Sequence, residues 1–130
     1  MFKFWSKRSF EDPQLGRFNC VQTMWYPAGK VEDIGVAIEG DEDCPAPAAL
    51  DTARGLMNQP DDWIVSAKAF VRKNELAMEF IAGYGDLVCD GFTVYKSGQF
   101  AVEFSLTEWP DAMITVPFTK GVPSGVLLGD

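Results

Sequence analysis

Three stretches of strict period-two alternation constrain this chain more than any other feature. In Gln99 to Leu106, the residues Phe100, Val102, Phe104 and Leu106 alternate with Ala101, Glu103 and Ser105. In Val31 to Glu39, the residues Ile34, Val36 and Ile38 alternate with Gly35, Ala37 and Glu39. Met113 to Phe118 alternates around Ile114, Val116 and Phe118. A period of two is that of a strand with one face buried. The chain is therefore built around sheet, and that sheet has one apolar face.

Other segments are placed around these. Asp12-Pro13-Gln14-Leu15-Gly16 reads as a turn, with Pro fixing φ and Gly allowing positive φ. Arg17 to Tyr26, rich in β-branched and aromatic residues, reads as one strand. Pro27 to Lys30 then makes a hairpin into Val31 to Glu39. Pro47 suits the first turn of a helix. Leu50, Ala53 and Met57 give that helix an apolar stripe, and Pro60 ends it. A second helix opens at Asp61 and Asp62 and runs to about Ile81, with Trp63, Ala67, Phe70 and Val71 on one face. Gly91 to Lys96 reads as a strand and Ser97-Gly98 as a tight turn. Trp109-Pro110-Asp111 reads as the next turn, and Val126 to Leu128 as a short closing strand. Pro117 puts its strand at an edge or about to leave the sheet. The expected fold is α+β: an antiparallel sheet, made of an N-terminal hairpin and a C-terminal meander, with two helices packed on one face. Residues 1–10 read as a lead-in segment and residues 11–130 as a single domain.

The chain has 130 residues, within the usual size of one domain. Its 19 acids against 11 Lys and Arg give a formal charge of −8, so non-specific nucleic-acid binding is not expected. There is no His, which removes every triad or metal site that needs imidazole. Cys20, Cys44 and Cys89 are odd in number and follow no C-x-x-C spacing. They read as buried thiols in a reducing, cytoplasmic setting. Met1 to Arg8 lacks the pattern of a signal peptide, although Phe2, Phe4 and Trp5 beside its basic residues could touch a headgroup region. No window approaches the roughly 20 apolar residues of a membrane span.

The search for chemistry turns up carboxylates and little else. Gly83-x-Gly85 lacks the strand–turn–helix setting of a dinucleotide site, and Gly121 to Gly125 lacks the Lys of a phosphate loop. Asp61 and Asp62 are adjacent, so on a helix they diverge by about 100° and serve as N-terminal charges. Glu39, Asp41, Glu42 and Asp43 form the densest acidic stretch, without calcium-loop spacing. Glu103 faces outward on its strand, and Glu108 and Asp111 with Trp109 could form an acidic rim. An exposed Trp in such a rim would be an anchor for a partner. No catalytic residue, metal site or cofactor is expected.

The order of elements also carries a resemblance. Asp12-Pro13-Gln14-Leu15-Gly16-Arg17-Phe18 with Trp25, the helical middle, Phe92-Thr93-Val94-Tyr95, and Asp111-Ala112-Met113-Ile114-Thr115-Val116 before Gly121-Val122-Pro123 are the parts concerned. Over residues 11–130 they resemble a group of small uncharacterised bacterial α+β proteins, relatives of which are regarded as probable immunity proteins of toxin systems. Those relatives often carry a Gly-His pair where this chain has Ser105 to Trp109 without His. The resemblance implies no catalytic residue or cofactor.

Together these observations predict a non-enzymatic cytoplasmic protein-binding module, an immunity-type inhibitor acting through an acidic surface. Its partner is expected to be a protein, basic and toxin-like, rather than nucleic acid or membrane. The residues expected to meet it are Asp41, Glu42, Asp43, Glu108 and Asp111, with Trp109 as anchor. The alternative is a structural protein that forms a homodimer through an exposed sheet edge near Pro117.

Overall fold

The computed structural model describes residues 8–28 and 34–130. The expectations for Met1 to Lys7, and for Gly29, Lys30 and Val31 in the first hairpin, lie outside those residues. Within them the chain forms β1 (Ser9–Asp12), β2 (Gly16–Val21), β3 (Met24–Pro27) and β4 (Gly35–Glu39). Helices α1 (Pro47–Asn58), α2 (Pro60–Arg72) and α3 (Glu75–Ile81) follow. The chain ends with β5 (Leu87–Val94), β6 (Phe100–Leu106), β7 (Trp109–Thr119), β8 (Val122–Pro123) and β9 (Leu127–Gly129). The strands make one sheet in sequence order from β1 to β8, with β9 also on β7. The fold is α+β with a mostly antiparallel sheet.

Several expectations are corrected. The sheet is mixed, because β4 and β5 run parallel, with Val36 opposite Phe92 and Ile38 opposite Val94. A parallel pair cannot be closed by a hairpin, so the chain crosses over between them through the helices. There are three helices rather than two. Lys73 leaves the last turn of α2, and the Asn74 side chain accepts the Ala77 N–H at 2.9 Å, capping a new helix. Arg17 to Tyr26 is two strands, because Gln22 takes φ 60° and turns the chain so that Val21 pairs with Met24. Strand β1 begins at Ser9, inside the segment read as a lead-in. Trp109-Pro110-Asp111 is strand, since the turn falls on Thr107 and Glu108 and Leu106 pairs with Trp109.

Pro117 does not mark a bare edge. Its strand lies between β6 and the short β8 and β9. In an antiparallel ladder the N and C=O of one residue point to the same side. The Pro117 carbonyl accepts the Ser124 N–H at 2.8 Å, so its missing N–H faces the gap between β8 and β9. No ladder bond is lost there.

The alternation read from the sequence sets the two faces. Register aligns Val36, Phe92, Val102 and Val116 across four strands, and Ile38, Val94, Phe100 and Phe118 beside them. All eight are buried, and they share one cluster with Leu50, Ala53 and Leu56 of α1 and with Ala67 and Val71 of α2. Trp63 of α2 meets Phe100 and Phe118 edge-on, at 5.3 and 5.8 Å between ring centroids. Trp25 is wholly buried in the same cluster. Burying a side chain of this size stabilises by about 1.5–3 kcal/mol.

The parallel pair depends on close backbone approach. Gly91 has φ +145°, and a Cβ there would sit 2.6 Å from the Gly35 carbonyl oxygen. Gly91→Ala should therefore destabilise the protein by about 3 kcal/mol. Gly55, on the exposed side of α1 with open space around it, should gain about 0.5–1 kcal/mol as Ala. Urea denaturation of the two variants checks both signs.

A second fixed point joins β1 to α1. The Asp12 side chain is fully buried and pairs with the Arg54 guanidinium through Nε and Nη2. Its other oxygen accepts the N–H groups of Gln14 and Leu15, each at 3.0 Å. The hydrogen bond from Arg54 holds the Asp12 carboxyl below its ordinary 3.8, against the opposing effect of burial. Its stabilising effect is complete above about pH 4 and is lost as pH falls through the lowered folded value. Asp12→Asn should be less stable than wild type at pH 7, and the difference in urea midpoint should close as pH falls from 5 towards 2.

Candidate functional site

The expected contact residues fall in two places. Asp41, Glu42 and Asp43 lie on the turn after β4, where the Asp41 carboxylate accepts the N–H groups of Asp43 at 2.8 Å and Cys44 at 3.0 Å. Those two bonds, the Cys44 one first, hold its carboxyl below the ordinary range. The Asp41 carbonyl accepts the indole N–H of Trp25 at 2.9 Å, which ties the turn to the core. A Cβ at Gly40 would meet the Cys44 carbonyl at 2.3 Å, so only Gly lets the turn close. Asp41 is thus a structural residue of the turn. Asp43 makes an exposed ion pair with Arg8 at 3.1 Å, and Glu42 is exposed. A pair of this kind contributes about 0–1 kcal/mol.

Glu108, Trp109 and Asp111 lie at the other end of the sheet. The acidic turn adjoins the end of β5, since Glu39 accepts the Lys96 N–H at 2.7 Å. Trp109 pairs with Leu106, which pairs with Leu87 at the start of β5. The eight residues of β5 therefore separate the two groups by about 23 Å. Trp109 is no free anchor. It stacks on Phe80 of α3 at 4.9 Å and lies against Tyr84 at 4.9 Å. Hydrogen bonds from Glu108 N to the Tyr84 carbonyl and from Asp86 N to Thr107 Oγ1, both 2.9 Å, lock this end.

Between the two ends runs the sheet face that turns away from the apolar cluster. On it Glu103 accepts hydrogen bonds from Thr93 Oγ1 at 2.7 Å and Thr115 Oγ1 at 2.6 Å, one to each carboxylate oxygen. Two residues further along β6, Ser105 Oγ donates to Asp90 Oδ1 at 3.0 Å. Burial, then the Glu103 and Glu39 carboxylates, push the Tyr95 phenol up. Glu103 was expected to face outward and does. Asp90 was missed, because it is the extra residue of a bulge between Cys89 and Gly91. The signal available in the sequence was the lack of Lys and Arg within the strand segments β4, β5, β6 and β7 themselves.

Beside α1 a shallow cleft of about 330 Å³ is lined by Thr52, Ser97, Gly98, Phe100, Phe118 and Lys120. Among the described residues no group of three His, Cys, Asp or Glu side chains is placed to hold a metal ion. No helix among them is long and apolar enough to cross a membrane. Comparison with family models, with curated proteins and with solved structures finds no match.

The cysteines divide unexpectedly. Cys20 and Cys89 are half-buried, and burial raises both thiols above 9.0. Cys44 is exposed on the acidic turn, against the expectation of three buried thiols. A thiol reagent at pH 8 should modify Cys44 first, with Cys20 and Cys89 at least tenfold slower unless the protein is unfolded. Peptide mapping after partial labelling tests the order.

Proposed function

We propose that this chain is a non-enzymatic protein-binding module, an immunity-type inhibitor that meets a basic partner through an acidic surface. The observation that carries the reading is the charge of −8 together with its placement. Glu42 and Asp43 are displayed on a turn held rigid by Asp41, and Glu108 and Asp111 are exposed at the opposite end. Carboxylates held at both ends of one sheet extend a negative field over the surface between them. Such a field speeds encounter with a basic protein and repels competing polyanions. In this reading the helices cover one face of the sheet and leave the other for the partner. The resemblance to bacterial immunity proteins points the same way. Glu42, Asp43, Glu108 and Asp111 act here as steering groups, with Asp41 and Trp109 holding the segments that carry them.

Affinity capture from cells that make the partner, at low and high salt, tests the reading. A single basic protein should be retained at low salt, and its association rate should fall at least tenfold between about 20 and 300 mM salt. Association that does not depend on salt would overturn the electrostatic basis of the proposal.

A further inference from the structure

Helix α2 sorts its residues cleanly by side. At about 100° per residue, Ile64, Ala67 and Val71 fall together, and all three are buried. Trp63 and Phe70 flank them and pack on the same apolar cluster. On the opposite side Asp61, Asp62, Val65, Ala69, Arg72 and the capping residue Lys73 are exposed. Those exposed residues fall within a stripe roughly 120° wide. Among the described residues none of Asp61, Asp62, Arg72 and Lys73 forms an ion pair. Val65 is 66% exposed.

The order along the stripe is acidic, then apolar, then basic. Turned end for end, such a stripe is its own complement. The positions are symmetric about Ala67: Asp61 and Asp62 precede it by as many residues as Lys73 and Arg72 follow it, and Val65 and Ala69 are equally spaced on either side. The acidic and basic pairs lie roughly 16 Å apart along the axis, so they do not meet within one helix. In two antiparallel copies related by a two-fold axis at the level of Ala67, the acids of each copy lie opposite the bases of the other. Val65 of each then lies beside Ala69 of the other. Compensation of the helix dipole accounts for the charges at each end. It does not account for a β-branched apolar side chain left in water between them, on the face where surface helices carry polar residues. The small Ala69 lets two helices approach to the short end of the usual 8–10 Å or so.

We infer that the exposed stripe of α2 is a contact between two copies of this chain, packed antiparallel about a two-fold axis. The contact is isologous, so every pairing in it occurs twice. One helix about 20 Å long from each copy buries an area at the low end for protein–protein contacts, so the dimer is weak and concentration-dependent. It uses no strand, unlike the sheet-edge dimer expected near Pro117. The inference goes beyond the protein-binding reading above, because α2 carries none of the steering carboxylates Glu42, Asp43, Glu108 and Asp111. The two readings stand or fall separately.

Sedimentation equilibrium of the full chain from about 10 µM to 1 mM, at fixed ionic strength, tests the contact. The wild-type mass should rise from monomer towards dimer over that range. Val65→Lys puts a charge at the centre of the contact. It should weaken association at least about tenfold with an unchanged circular dichroism spectrum. Asp61→Lys/Asp62→Lys and Arg72→Glu/Lys73→Glu should each stay monomeric alone, because like charges then meet across the axis. Mixed in equal amounts they should form a one-to-one dimer, with an affinity within about threefold of wild type. Both variants keep a net negative charge, so attraction between them is local to the helix. Monomer mass for the wild type at every concentration would overturn the inference. Association that survives Val65→Lys would place the contact elsewhere and overturn it too. So would a mixture of the two charge variants that stays monomeric while both give the wild-type circular dichroism.

Discussion

The parallel pairing of β4 with β5 is the constraint on which the rest of the molecule depends. Two parallel neighbours need a long crossover, and the 47 residues from Gly40 to Asp86 are committed to making one. The helices lie in that crossover, and their apolar stripes join the sheet in one cluster. The pairing also joins the two halves of the sheet, since β1 to β4 and β5 to β9 are otherwise separate antiparallel units. It is possible only because Gly91 brings its backbone against Gly35.

A second set of contacts anchors the periphery to this frame. The Asp12 carboxylate joins the β1–β2 turn to Arg54 of α1, and the Gln14 amide donates to the Arg54 carbonyl at 3.0 Å. The Trp25 indole joins the acidic turn to the core. Phe80 and Tyr84 clasp Trp109 at the other end. Each of these residues looks functional when read alone. In the fold each is used in holding a segment in place.

The strands with clean alternation were legible residue by residue. Phe100, Val102, Phe104 and Leu106 are all buried, as are Val36, Ile38, Ile114, Val116 and Phe118. The first helix was equally legible, from Pro47 to Asn58, because Pro at its start and Pro after its end are local signals. The breaks were less legible. A helix over Asp61 to Ile81 is continuous by periodicity, yet Asn74 finds the Ala77 N–H and restarts it. Arg17 to Tyr26 is continuous by β propensity, yet Gln22 accepts a left-handed conformation and folds it into a hairpin. In both places a single polar residue outweighs the propensity of its neighbours. The candidate site was legible only as acidity. Glu103 was placed by its alternation, whereas Asp90 depended on a bulge.

The sequence by itself determined that there is one apolar sheet face, which strands carry it, and that the protein is strongly acidic. These follow from side-chain chemistry and from the fixed period of a strand, both of which are local. The tertiary structure decided which strands are neighbours and which run parallel. It also decided that the acidic turn and the Trp109 end lie about 23 Å apart, and that Glu103 is held between Thr93 and Thr115 of the neighbouring strands. Those relations join residues distant in the chain. They are set by strand register and by the close approach of Gly35 and Gly91, which no local pattern encodes.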